Sequence, residues 1–252
     1  MKRFLLTILC LSVSTLCIAQ GDGDKEKREV EERKINPRPD LPGSLIFDLG
    51  FNFLSSDAPD DLDIGFWGSK SVGIYYYFNK KLGNSKFSIN PGIGLGLEKY
   101  KFDKDVTLSY TTTTTIPIQR ELALVGLDSL IGPFNFKKSK LAANYVEVPA
   151  ELRYHVKQDH DGGFRIVLGG KIGILYSAHT KVKYKEFGNN KKVKLKQDYQ
   201  LNLFRYSVYG RVGWPGFMIF YDLSLSDLFE SGNGPEQTTT NPWKIGLSVT
   251  IF

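Results

Sequence analysis

Trp243-Lys-Ile-Gly-Leu-Ser-Val-Thr-Ile251, at the end of the chain, decides how the rest of it reads. Trp243, Ile245, Leu247, Val249 and Ile251 share one parity; Lys244, Gly246, Ser248 and Thr250 share the other. Side chains on a strand point alternately to opposite faces, so this is a strand with one oily and one wet side. Seven earlier stretches alternate in the same way. The set is 44–54, 70–79, 86–101, 142–157, 163–179, 202–214, 216–226 and 243–252. Their connections alternate between short and long. The short ones carry turn sequences: Lys81-Leu-Gly-Asn-Ser, Asp159-His-Asp-Gly-Gly and Trp214-Pro-Gly. The long ones hold Asp57-Ala-Pro-Asp-Asp, the threonine run 111–115, Lys185 to Lys196, and Ser231-Gly-Asn-Gly-Pro.

A soluble barrel hides its oily parity inside, whereas a membrane barrel shows it to lipid and keeps the wet parity within. The apolar parity holds Phe47, Leu49, Ile74, Ile93, Leu95, Val146, Val148, Leu168, Ile172, Val208 and Ile219, among others. The opposite parity holds Asp48, Asn52, Tyr75, Tyr77, Glu98, Glu147, Glu151, Arg153, Arg165, Lys171, Arg205, Arg211, Asp222 and Lys244. Eight strands enclose an interior just wide enough for side chains, and the aliphatic rows would crowd it. Facing lipid they need no such fit, and no charge interrupts them mid-strand. The strands also reach the roughly 9–11 residues that spanning requires. The expected fold is therefore all-β: an eight-stranded antiparallel up-and-down transmembrane β-barrel over 44–252, with short periplasmic turns and long extracellular loops. An even strand count puts both ends of the barrel at the short-turn side. Tyr154, Tyr176, Trp214, Phe217 and Trp243, near strand ends, are candidates for interfacial anchoring girdles.

The first 19 residues have the form of a signal peptide. Lys2 and Arg3 precede the apolar run Phe4 to Val13, and Cys17-Ile-Ala19 gives a small-x-small cleavage site. Cleavage there removes both cysteines, Cys10 and Cys17, so disulfides cannot stabilise the mature chain. Residues 20–43 form a charged, proline-punctuated periplasmic lead with little to bury, which reads as disordered. The net charge of +6, or +4 without Lys2 and Arg3, is too mild and scattered for a nucleic-acid partner. The expected location is the cell outer membrane.

The inward parity suggests a barrel-interior charge network of Glu147, Glu151, Arg153, Arg165, Lys171, Arg205, Arg211, Asp222 and Lys244. Buried charges must be paired, so the network reads either as a salt-bridged filling or as a polar conduit with a basic bias. Catalysis would need a nucleophile beside a histidine and a carboxylate. The candidates are His155, His160 and His179, with Ser177 on the same face as His179. No metal-ligand spacing, phosphate loop or redox cysteine pair occurs, so no cofactor and no enzyme activity is expected. Loop 102–141, with Leu122-Ala-Leu-Val-Gly-Leu and Ile131-Gly-Pro-Phe, is apolar enough to fold over the rim or to extend the strands as a hairpin. It reads either as a partner-binding surface or as a self-packed lid. The lysine-rich segment 180–202 reads either as a contact for lipopolysaccharide phosphates or as a solvated β extension.

Asn144-Tyr-Val-Glu-Val-Pro-Ala-Glu-Leu-Arg-Tyr154, Gly92-Ile-Gly-Leu-Gly-Leu97, Leu168-Gly-Gly-Lys-Ile-Gly173, Tyr221-Asp-Leu-Ser-Leu-Ser-Asp-Leu-Phe229 and the closing strand carry a resemblance over roughly 44–252. Together they are similar to the eight-stranded outer-membrane β-barrel family common in Bacteroidota, the PorT-like or porin-family barrel proteins. The resemblance implies that Phe252 is the C-terminal signal read by the barrel-assembly machinery, although Phe252 shares the inward parity of Thr250. For some members it implies service to the type IX secretion system. The expected function is a non-enzymatic, structural or accessory component of an envelope assembly, linked to that system. The alternative is a narrow channel or porin for small solutes. Implied partners are outer-membrane lipid, lipopolysaccharide, the barrel-assembly machinery, and envelope or secretion proteins.

Overall fold

The computed structural model describes residues 43–55, 62–112, 120–157 and 163–251. The expectations for the signal 1–19, the charged lead, His160 and Phe252 lie outside these residues, except that Gly43 already opens the first strand.

The strands are β1 (Gly43–Leu54), β2 (Lys70–Phe78), a two-residue β3 (Lys80–Lys81), β4 (Phe87–Phe102), β5 (Val106–Thr112), β6 (Arg120–Gly126), β7 (Asn135–His155), β8 (Arg165–Glu186), β9 (Asn189–Leu195), β10 (Phe204–Trp214), β11 (Phe217–Ser224) and β12 (Pro242–Thr250). A short helix, α1 (Leu127–Ile131), follows β6. Eight strands pair in chain order, β1-β2-β4-β7-β8-β10-β11-β12, every pair antiparallel. Phe47↔Val249, Leu49↔Leu247 and Phe51↔Ile245 close β1 onto β12. Closure leaves the ring without an edge strand, and no cysteine stands among the described residues to cross-link it.

The apolar parity faces out. Leu168 is 66% exposed, Ile172 61% and Val148 58%, on a surface that carries no charge at mid-strand. Aromatic residues gather at both ends of this belt. At the loop end Phe51 stacks on Phe66 (4.5 Å) and Phe53 on Trp243 (4.1 Å), with Tyr221 beside Trp243. At the turn end Phe164 meets Trp214 and Phe87 meets Tyr154. Amphipathic rings at two levels around an apolar band suit two membrane interfaces.

Two long strands depart from expectation. β7 begins at Asn135 rather than 142, and β8 runs to Glu186 rather than 179, where β9 folds back on it through Val182↔Val193. β7 keeps its parity but its outward side turns to Lys138 and Lys140, whereas β8 carries a bulge. Asn144 pairs with Ser177 but Tyr145 with Leu175, so Tyr176 is an extra residue on β8. Below it Val167 and Lys171 point inward; above it Ala178, Thr180 and Val182 do. The parity flip hides the continuation of β8 from a period-two reading.

The 102–141 loop both forms a hairpin and packs down. β5 pairs only with β6, and Leu108 and Leu122 bury against the inward Tyr100, Phe102, Leu141 and Tyr145 of the upper wall. Tyr199, Leu201, Leu228 and Phe229 from the other long loops join that cluster. Leu127 of α1 packs with Val182 and Tyr184. The mouth is thus lined by an apolar core above a polar lumen.

Candidate functional site

The lumen is built from two knots of charge. In the upper one, Arg205 of β10 donates to Glu98 of β4 and Glu147 of β7, each at 2.5 Å. Lys244 of β12 reaches Glu98 at 2.7 Å, and Lys171 of β8 bridges Asp222 (2.5 Å) and Glu147 (3.3 Å). The Tyr75 hydroxyl donates to Glu147 at 2.5 Å, and the Arg205 guanidinium lies 3.8 Å from the centre of the Tyr145 ring. In the lower knot, Arg211 of β10 donates to Asp48 of β1 at 2.7 Å and pairs with Glu151 of β7. Arg153 donates to Glu151 at 2.7 Å, Tyr209 donates to Glu151 at 3.1 Å, and Ser248 donates to Asp48 at 2.6 Å.

Apart from His155, the buried Asp, Glu, Lys and Arg side chains among the described residues are five acids (Asp48, Glu98, Glu147, Glu151, Asp222) and five bases (Arg153, Lys171, Arg205, Arg211, Lys244). The lumen is charge-balanced. Carboxylates that accept from two or three donors offset the cost of leaving water, which an unmatched charge would not. Between Asp48, Glu98, Lys171, Asp222 and Lys244 lies a void of about 10 Å³, room for about one water molecule.

Inward glycines make space for these large side chains. A Cβ at Gly96 would lie 2.9 Å from the Glu147 carboxyl, and one at Gly169 would lie 2.5 Å from the Tyr209 ring. Gly169→Val should therefore push Tyr209 off Glu151 and off the Tyr77 hydroxyl (3.1 Å). Overpacking of this kind costs about 1–3 kcal/mol. Urea unfolding from vesicles should show that loss, and an unchanged midpoint would mean that the ring has room to move.

Residues 44–230 match the family described as outer membrane protein beta-barrel domain. The chain belongs to that family. No curated protein matches it. Among solved structures, the chain is similar to two crystal structures of Ail, the attachment invasion locus protein of Yersinia pestis. One covers 83% of this chain and 97% of that chain, at 9% identity and a TM-score of 0.34. The other, in complex with the heparin analogue sucrose octasulfate, covers 84% and 100%, at 12% identity and a TM-score of 0.34.

The outer-membrane barrel corrects the expected network in two ways. Arg165 does not enter the buried knots. It is the first residue of β8, half-buried at the turn end opposite His155 and Gly213. Asp48 and Glu98 do enter them. Both stand on the wet parity of the sequence, and only the ring closure shows that they meet Arg211, Arg205 and Lys244. With these two changes the expected basic bias of the lumen disappears.

The histidines divide. His155 is buried at the turn end, 3.1 Å from the Ser88 hydroxyl through Nε2. Ser177 and His179 do share the outward face. Partial burial and then Lys194, Lys140, Lys181 and Lys99 hold the His179 imidazole below its ordinary pKa.

Proposed function

We propose that this protein works by contact, as a non-enzymatic structural or accessory component of an envelope assembly. The observation that carries this reading is the combination of a charge-balanced, side-chain-filled lumen with a packed outer cap of loops. A conduit needs a continuous wet path, whereas the ion pairs here cross the lumen from wall to wall. The cap presents a packed surface at the end where the long loops gather, which is the form of a platform. Within the family, we assign it to the PorT-like barrels of Bacteroidota on its Tyr145-Val-Glu-Val-Pro149 strand, with type IX secretion as the first assembly to test. Its 1–19 signal would deliver it, and Phe252 would present it to the barrel-assembly machinery.

Affinity purification from mildly solubilised outer membranes, with mass spectrometry of what co-purifies, tests this. Stoichiometric recovery of secretion or envelope-assembly proteins is the expected result. Recovery of the barrel alone from native membranes would overturn the contact role.

A further inference from the structure

Above the apolar belt, on the outer wall, four adjacent strands bring lysines into register. Lys101 of β4 faces Lys140 of β7, Lys140 faces Lys181 of β8, and Lys181 faces Lys194 of β9. The next row up is Lys138, Lys183 and Lys192. Lower down, Lys99 stands opposite Lys70, at the level of His179. These are outward positions; the inward ones at this height are Tyr100, Leu141, Thr180 and Val182, all buried.

Like charges directly opposite each other on paired strands are destabilising, and this sheet repeats that arrangement three times in one row. Lys101 has Asp103 at 3.6 Å, and Lys191 near the hairpin tip pairs with Glu186. Among the described residues, no acid lies within ion-pair distance of Lys138, Lys140, Lys181, Lys183, Lys192 or Lys194. Lys140 shows the consequence: partial burial, then Lys99, Lys138, Lys181 and Lys183, pull its pKa down to about 8. A face that repels itself in isolation is completed by a polyanion.

Height sets the layer this face meets, and charge selects the polyanion within it. Leu95, Val146 and Ile174 form a full apolar row across β4, β7 and β8. The Lys101–Lys140–Lys181 row lies six paired positions higher on β4 and β7. At ~3.3 Å per residue that is roughly 20 Å along the strand, and at a tilt of 35–45° roughly 15 Å in height. The Lys70–Lys99 row lies roughly 10 Å above the same level by the same measure. With half of a roughly 30 Å hydrocarbon core below them, the rows stand at the level of the outer-leaflet headgroups, and seven lysines in two adjoining rows match a headgroup carrying several phosphates better than a phospholipid carrying one. Lysine stems can also reach down toward such a layer. Because this face continues the lipid-facing wall, it looks sideways into the headgroups and not up into the medium.

We propose that the lysine rows on the outward face of β4, β7, β8 and β9 form a binding site for the phosphorylated saccharide headgroups of outer-leaflet glycolipid, of the lipopolysaccharide type. The inference rests on the outer-membrane placement and is independent of the contact role, because its test reads lipid and not protein.

The mature protein in detergent micelles should be titrated with bisphosphorylated lipid A, with its dephosphorylated form, and with inorganic phosphate, and the adducts read by native mass spectrometry. Bisphosphorylated lipid A should bind at least tenfold more tightly than the dephosphorylated form. The variant Lys140→Gln/Lys181→Gln/Lys183→Gln/Lys194→Gln should lose that preference while keeping the heat-modifiable electrophoretic shift of a folded barrel. If that variant fails to fold, Lys183→Gln/Lys192→Gln, at two exposed positions, should still weaken lipid A binding about threefold. Equal binding of the two lipid A forms, or equal binding by wild type and variants, would overturn the proposal. So would competition by inorganic phosphate at the same concentration as lipid A, which would make the site one for free anions.

Discussion

Arg205→Leu should cost the barrel about 3–5 kcal/mol, the loss found when one partner of a buried ion pair is removed. The guanidinium answers two carboxylates at once, Glu98 and Glu147, each at 2.5 Å. Leucine would leave Lys244 and Tyr100 as the partners of Glu98, and Lys171 and Tyr75 as those of Glu147. It would also make the lumen net negative. Urea unfolding from lipid vesicles, followed by tryptophan fluorescence, measures the change. Arg205→Lys should fall between leucine and wild type, since one ammonium cannot span both acids as a planar fork does. The double variant Arg205→Leu/Glu147→Gln should recover part of the loss, because a neutral amide no longer needs the cation. A loss within about 0.5 kcal/mol, the range of ordinary surface substitutions, would mean that the upper knot is wet and contributes little.

The second large effect lies on the opposite face. Ile172→Arg should destabilise the vesicle-inserted barrel by about 2–4 kcal/mol, the cost of a cation near the bilayer midplane. Ile172 is 61% exposed and pairs with Val148 and Tyr206 in the apolar belt. The same substitution at Lys183, above the belt, should leave stability nearly unchanged. Were the belt exposed to water instead, arginine at 172 would be as harmless as at 183. The two variants unfolded side by side therefore read the orientation of the wall.

Ile172 and Lys171 show why so much of the fold is legible in the sequence. Neighbours in the chain meet lipid and lumen respectively, two surroundings with opposite demands, so parity alone sorts the residues to faces. Turn residues such as Trp214-Pro-Gly then count the strands. Pairing across the lumen is another matter. Asp48 and Arg211 are 163 positions apart, and Glu98 and Lys244 are 146 apart. Nothing local marks them as partners; the ring order and register bring them together. For this reason Glu98 and Asp48 read only as wet-face residues, and Arg165 reads as a lumen base although the start of β8 leaves it at the rim.

The extension of β8 is hidden for a different reason. One extra residue at Tyr176 reverses the parity, and beyond the membrane the outward side becomes lysine. A period-two pattern whose oily side has changed hands looks like a loop. The hairpin of β5 and β6 is visible in the sequence only as an apolar loop. Its burial partners, Tyr100, Leu141 and Tyr145, stand on β4 and β7, and no local pattern marks those contacts.

Lys140 offers a check on the outer wall. Its pKa of about 8 lies below the ordinary lysine value. The repulsion it reports is therefore fully present below pH 8 and is relieved as pH rises from about 8 toward the unfolded value of about 10.4. After reductive ¹³C-methylation, the Lys140 resonance should titrate with a midpoint near 8, and Lys140→Gln should remove that transition. A midpoint at the ordinary lysine value would mean that the neighbouring lysines are too mobile to repel it.

Conductance across a planar bilayer tests the central claim most directly. Folded protein inserted at high salt should leave the membrane as resistive as the bare bilayer, because the five acids and five bases of the lumen pair across it and the void among Asp48, Glu98, Lys171, Asp222 and Lys244 has room for about one water. Reproducible unitary current steps that scale with salt, with an ion preference that reverses in Lys244→Glu, would contradict the account and make the lumen a channel.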